Sequence, residues 1–239
     1  MRSSIELQAR EHHGLGGTHV RLRDAVFGIQ DGLISTMGAL TGIAAGTHSA
    51  EAVVIAGFVI VVVESLSMAA GSYLSSKSQR EYLERILREE EDEIKNDPEK
   101  ERQEIWEMYR ARGFAEEEIA IIARRLMSNP QLLLEDMAHK ELGICPSAME
   151  EPLGNAIVMG IAYVIGGFIP VLPYLLLPIE IGMPVSIAGT LLALFAFGGL
   201  KGRIVKQTWW RSGLEMLLIA GVAALVGFVI GQLVGLWVR

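Results

Sequence analysis

Val61-Val62-Val63-Glu64-Ser65-Leu66-Ser67-Met68 sets a carboxylate and a thioether inside an otherwise apolar run, and its reading decides the fold. At a bilayer centre an acid costs about 2.5–3.5 kcal/mol on insertion scales, so an acid in such a run marks a functional site whose partner has to be found. Glu64 and Met68 are four apart, which stacks them on one face of a helix. The surrounding residues, 52 to 74, are long enough to cross a hydrocarbon core that needs roughly 20 helical residues.

Working outward, four further apolar stretches of this kind lie near residues 25 to 46, 153 to 177, 183 to 200 and 213 to 238. The 239 residues are 51% hydrophobic, with 26 glycines and a mean hydropathy of +0.36, which favours a membrane protein over a soluble enzyme. The expectation is an all-α integral membrane protein of five transmembrane helices, with a charged helical domain inserted between helices 2 and 3. Its divisions are a tail over 1–23, helices 1 and 2 over 24–77, the insert over 78–150, and helices 3 to 5 over 151–239.

Basic residues orient the spans. Arg21 and Arg23 precede the first, Lys77, Arg80, Arg85 and Arg88 follow the second, and Lys201, Arg203, Lys206 and Arg211 crowd the connection between the fourth and fifth. The turns near 46–50 and 178–184 have no Lys or Arg. That asymmetry places the N-terminus and the insert in the cytosol and the C-terminus outside or in a lumen. Arg211 and Glu215 read as an interfacial ion pair, and Trp209 and Trp210 as headgroup anchors.

A net charge of -7 without a basic cluster excludes nucleic acid as a partner and favours a cation. Cys145 is the only cysteine, so neither an intrachain disulfide nor a cysteine-rich zinc site is expected. The first residues are polar and hold His12, His13 and His19, unlike a cleaved signal peptide. These histidines either feed metal to a site or do nothing structural.

In the first span, Gly28 and Gly32, like Gly38 and Gly42, are four apart, a spacing that lets helix backbones approach closely in lipid. Packing within the chain and a dimer seam are both open readings. Asp31 falls roughly 10 Å in from the cytosolic end, Met68 on the antiparallel second span at about 8 Å, and Glu64 one turn deeper. A hairpin of the two spans brings Asp31, Met68 and Glu64 into one half of a pathway. The plainer alternative has Asp31 hydrogen-bonding a neighbouring helix and Glu64 kept protonated by burial.

The insert reads as helices. Asp97-Pro98 supplies a cap and a first-turn proline, Gly113 a stop, Glu116 to Met127 another helix, and Asn129-Pro130 the start of a last one ending at Gly143, with Leu132, Leu133 and Leu134 available for a core. From Arg80 to Glu104 there are eleven acids against six bases. Glu90 and Glu93 are three apart, as are Glu101 and Glu104, so each pair projects from one face, while Met137 and Glu141 repeat the carboxylate-plus-thioether pairing of the second span. Oxygen donors with one thioether suit a first-row ion such as ferrous iron or manganese better than calcium. A solvated acidic face is the competing reading. Asp136-Met137-Ala138-His139 approaches the Glu-x-x-His of di-iron bundles, an architecture that needs two copies.

These segments, in this order, resemble the vacuolar iron transporter family: Arg23-Asp24 with Asp31-Gly32, Ser67-Met68-Ala69-Ala70-Gly71-Ser72-Tyr73-Leu74, Glu141-Leu142-Gly143, and Gly166-Gly167-Phe168-Ile169-Pro170-Val171-Leu172-Pro173-Tyr174. The resemblance implies a homodimer of five-span subunits with a path between the two first spans. It also implies a cytosolic metal-binding domain that collects ferrous iron, and export of that iron from the cytosol against entering protons. The pathway aspartate and methionine fall on Asp31 and Met68. The acids of the cytosolic site fall on Glu90, Glu93, Glu101, Glu104 and Glu141, and its first methionine on Met137. A second adjacent methionine is replaced by Ala138, which lowers the soft-donor count and puts selectivity for iron over manganese, cobalt or zinc in question. A family glutamate two turns before the pathway methionine is replaced by Ile60, and Glu64 stands one turn later on the same face.

The expectation is therefore a proton-coupled metal transporter rather than an enzyme. It has no cofactor, and Fe2+ is its cargo, with Mn2+, Co2+ and Zn2+ as further candidates. Its membrane is the plasma membrane in a prokaryote or the vacuolar membrane in a eukaryote. The alternative is a membrane-anchored iron-binding or oxidase bundle.

Overall fold

The computed structural model describes residues 15–143 and 151–238, and every regular element among them is a helix. In chain order these are α1 (Leu15–Thr47), α2 (Ala50–Asn96), α3 (Pro98–Ala111), α4 (Glu116–Met127), α5 (Pro130–Lys140), α6 (Pro152–Leu176), α7 (Ile179–Ile204) and α8 (Trp209–Val238). His12, His13 and Cys145 lie outside the described residues.

The chain divides into two compact units, one holding Ser75–Glu151 and the other His19–Leu74 with Pro152–Arg239. The division falls inside α2, a single helix of 47 residues. No Gly or Pro interrupts Ser72 to Asn96, so the change from apolar to charged composition brings no break in the backbone hydrogen bonding. Ion pairs four apart line the charged part: Lys77–Glu81 at 3.7 Å, Arg80–Glu84 at 2.8 Å and Arg85–Glu89 at 3.7 Å. Such exposed pairs are screened by water and support the helix only weakly.

In the first unit α3 and α5 start where the sequence supplies a side-chain cap. Asp97 Oδ1 accepts from Lys100 N at 3.2 Å ahead of Pro98, and Asn129 Oδ1 accepts from Gln131 N and Leu132 N ahead of Pro130. These side chains satisfy amides that a helix start leaves without partners. Gly113 ends α3 with φ +87, the left-handed conformation that glycine takes without steric cost. The core gathers Ile105, Tyr109, Ile119, Ala123, Leu126, Leu133 and Met137 from α3, α4 and α5.

In the second unit α2, α6, α7 and α8 are long and apolar enough to cross a membrane, which makes the chain an integral membrane protein. The first of the five expected spans, α1, does not meet that composition, and its surroundings explain why. Its Leu33 and Met37 pack with Leu194, Met216, Ala220 and Ala224, and its Leu40 and Ala44 with Val53, Val61, Val171 and Tyr174. A helix walled in by protein needs small residues for close approach and tolerates polar ones, and Thr36 and Thr41 of α1 are buried. By contrast α6 turns Ile157, Ile161 and Ile165, four apart, outward at more than half exposure, as a lipid-facing stripe does.

The glycine spacings of α1 are used within the chain. A Cβ on Gly28 would stand 2.8 Å from the Ala162 Cβ and the Met159 carbonyl of α6, and one on Gly42 2.6 Å from the Gly227 carbonyl of α8. Gly38, Gly42 and Gly46 thus mesh with Gly227, Gly231 and Gly235, and Gly28 and Gly32 with the helix that carries Tyr163 and Gly166. A groove of about 990 Å³ beside the glycine seam of α1 and α8 has no charged residue on its wall.

Candidate functional site

The acids of the insert lie on the last turns of α2, the first turns of α3 and the end of α5. Glu101 is four residues before Ile105 and eight before Tyr109, both core residues, so the α3 face that packs also carries this carboxylate inward. Glu101 is fully buried and Glu90 is 7% exposed. Neither Glu101 oxygen has a hydrogen-bond partner, and Glu90 Oε1 has none either. Burial in the company of other acids pushes both carboxyls up to about 7. For Glu90 the repelling neighbours are Glu141, Glu104 and Glu93, and for Glu101 they are Glu90, Glu104 and Glu141. The Glu141 carboxyl is raised as well, by burial and then by Glu104 and Glu93.

All five acids predicted from the sequence therefore share one electrostatic neighbourhood. Among the described residues, however, no three His, Cys, Asp or Glu side chains are already arranged to hold one ion. The donor chemistry still fits a cation: buried carboxylate oxygens without protein donors are what a hard divalent ion takes as ligands. Met137, one turn before Glu141, is fully buried in the apolar core, so its side chain has a packing role whatever else it does. His139 is exposed, with its Nδ1 2.7 Å from the Glu135 carbonyl.

Lys100 is the residue that sequence reasoning passed over. Its ammonium pairs with Glu93 and lies 3.3 Å from Glu104 Oε1. A lysine four residues before a glutamate was a legible signal, hidden among six bases that looked alike.

In the membrane unit Asp31 is half-buried on α1 and close enough to Glu64 of α2 for their charges to repel. Met68 is half-buried one turn beyond Glu64, which is exposed. Ser35 Oγ lies 2.7 Å from the Asp31 carbonyl, to which it donates, and 2.7 Å from Tyr163 Oη. With the serine proton committed to that carbonyl, the tyrosine donates to the serine. Tyr163 itself is fully buried and feels the charge of both Asp31 and Glu64. A second acid, Asp24, is 3% exposed; it accepts from Ser72 Oγ at 2.9 Å and meets Arg23 Nε at 3.4 Å. The sequence marked Asp24 and Ser72 as parts of motifs, but their separation of 48 positions gave no hint that they touch.

The described residues thus form an α-helical membrane unit with acids on α1 and α2, joined through α2 to an acid-bearing helical unit. A model described as VIT family matches residues 22–232. Vacuolar iron transporter 1 of Arabidopsis thaliana is 34% identical over 225 residues, covering 94% of this chain and 89% of the relative. Vacuolar iron transporter 1 of Tulipa gesneriana is 31% identical, covering 95% and 92%. A vacuolar iron transporter of Plasmodium falciparum is 27% identical, covering 92% and 84%. With residues 22–232 matched and a third of the positions shared with a full-length relative, the chain belongs to the VIT family.

Proposed function

We propose that the protein is a proton-coupled transporter that moves ferrous iron out of the cytosol, through a five-span homodimer in a vacuolar-type membrane. The observation that carries this reading is Glu101: a fully buried carboxylate with no partner on either oxygen, set among acids that repel it. An arrangement this unfavourable when empty of cations is explained by a cation as cargo, and the names of the relatives supply iron as its identity.

In this reading Glu90, Glu93, Glu101, Glu104 and Glu141 collect the ion on the cytosolic side, with Met137 as the soft donor, and Asp31 and Met68 carry it across. The exposure of Glu64 and the half-exposure of Met68 on a single chain support a path completed by a second copy. Carboxylates serve both metal and proton, so protonation of Asp31 or Glu64 from the far side weakens the hold on the metal and resets the carrier. Tyr163 and Ser35 hold the helical turn that presents Asp31. Mn2+, Co2+ and Zn2+ are further candidate cargoes, because Ala138 leaves the site with a single methionine.

Proteoliposomes with an acidic interior test this. The wild type takes up Fe2+ when the pH gradient is imposed and stops when an ionophore collapses it, and Asp31→Ala reduces uptake to the level of empty liposomes. Undiminished uptake by Asp31→Ala removes the pathway assignment, and uptake indifferent to the gradient removes proton coupling.

A further inference from the structure

Three of the bases where α2 gives way to α3, Lys95, Lys100 and Arg102, are used differently. Lys95 pairs with Glu91 at 2.8 Å and Arg102 with Glu99 at 2.7 Å, both with acids outside the proposed metal set. Lys100 instead turns to Glu93 and Glu104, and its charge also opposes the repulsion felt by Glu90, Glu101 and Glu141. Its place is fixed from behind, because its backbone amide donates to the cap residue Asp97. One ammonium therefore serves five carboxyls, and the oxygens it does not reach include both of Glu101.

We propose that Lys100 is a tethered counter-cation of the acid cluster, which a divalent ion must displace from Glu93 and Glu104 in order to bind. This rests on the acid cluster being the metal-capture site. The ion lands first on the unpartnered oxygens of Glu101 and Glu90, and Lys100 then withdraws, so that Glu93 and Glu104 close on the metal. Two consequences follow from charge and tethering. A tethered ammonium already stands against both carboxylates and gives up little freedom in pairing with them, so a free monovalent cation of equal charge gains nothing by replacing it, whereas a doubly charged ion is drawn more strongly to the same oxygens. Lys100 thereby rejects potassium and sodium by occupying their place, a repulsive device of the kind specificity often requires. It also weakens the grip on the divalent ion, which a site that hands its cargo onward requires.

The test uses the full-length protein in detergent, titrated with Mn2+ at low and high potassium chloride. Lys100→Met removes the ammonium and keeps the stem, Lys100→Gln is a second neutral variant, and Lys100→Arg keeps the charge. The neutral variants bind Mn2+ about tenfold more tightly at low salt and lose that gain as potassium rises, because potassium now enters the cluster; Lys100→Arg behaves as wild type. The metal-free forms of the neutral variants melt lower than wild type, and their melting temperature rises further on adding Mn2+. Neutral variants that bind Mn2+ no more tightly than wild type, or with the same potassium dependence, overturn the proposal. Glu101→Gln separates the two levels. If wild type binds Mn2+ and Glu101→Gln does not, a silent Lys100→Met refutes only the role of Lys100. If Glu101→Gln binds as wild type does, the capture site itself is wrong and the role of Lys100 falls with it.

Discussion

Asp24 and Glu101 are two acids buried to almost the same degree, at 3% and 0% exposure, and they are treated in opposite ways. Asp24 receives Ser72 Oγ at 2.9 Å and the Arg23 guanidinium at 3.4 Å. Glu101 receives no hydrogen bond, and the charges around it are those of Glu90, Glu104 and Glu141, opposed by Lys100 alone. A buried charge with hydrogen-bonding partners is a fastener, here between α1 and α2. A buried charge without them is destabilising until something positive arrives. Burial alone therefore does not distinguish structure from function in this chain; the satisfaction of the oxygens does.

Glu101→Gln tests the contrast hardest. It removes a charged ligand from the cluster, and the affinity of the full-length protein for Mn2+ falls by about a hundredfold or more, as expected when ligand charge sets affinity. The same change relieves the unpartnered charge, so the metal-free protein melts higher by roughly 5 °C, which about 1 kcal/mol is worth in a domain of this size. Opposite signs in binding and stability are the signature of a site; a loss of both would place Glu101 with Asp24.

Acidity gives the next effect. The Glu90 and Glu101 carboxyls are raised from 4.5 to about 7, so between those values the folded metal-free insert holds protons that an unfolded chain has released. Their contribution to stability is complete below 4.5 and lost as pH rises through 7. Metal binding expels the same protons, so affinity moves the other way, with Glu93, Glu104, Glu141 and Lys100 as the charged groups around them. From pH 8 to pH 6 the affinity for Mn2+ falls by about tenfold for one such carboxyl and toward a hundredfold for both. A flat profile over that range, measured by calorimetry, contradicts the raised acids.

How much of this was legible in the sequence depended on range. The caps at Asp97 and Asn129 and the stop at Gly113 are local devices, and α3 and α5 begin or end where they stand. The four-residue glycine spacing announced close packing, but its partners, α6 and α8, lie more than a hundred residues away and could not be named. Glu101 was readable as one of a pair with Glu104, yet its burial was hidden, because an acidic amphipathic helix ordinarily presents such residues to water. The clue was the Glu101, Ile105, Tyr109 spacing, which places the acid on the packing face. The unbroken α2 was also in view, since nothing between Ser72 and Asn96 breaks a helix; the change of composition there marked a boundary between units and not an end of the element.

Asp24→Asn supplies the other side of the comparison, with a smaller effect. The amide keeps the shape and one acceptor for Ser72 but loses the charge-assisted character of the pair, a change of about 1–3 kcal/mol. The expected result is a lower melting temperature in detergent with Mn2+ affinity unchanged, read by thermal scanning and titration on the same sample. A loss of metal affinity here would move Asp24 from fastener to ligand.

The smallest expected effect belongs to Met137, which stands between the two cases: its side chain fills the core like a structural residue, while its place one turn before Glu141 is that of a ligand in the proposed set. Met137→Leu conserves volume in an apolar site and costs less than about 1.5 kcal/mol, so the insert keeps its fold and its melting temperature moves by only a few degrees. What leaves is the soft donor. Thiophilic ions lose more from this than hard ones, so the ratio of Fe2+ to Mn2+ affinity falls in Met137→Leu while Mn2+ binding hardly changes. An unchanged ratio makes Met137 core and nothing else, and leaves the selectivity of the cluster to its carboxylates and to Lys100.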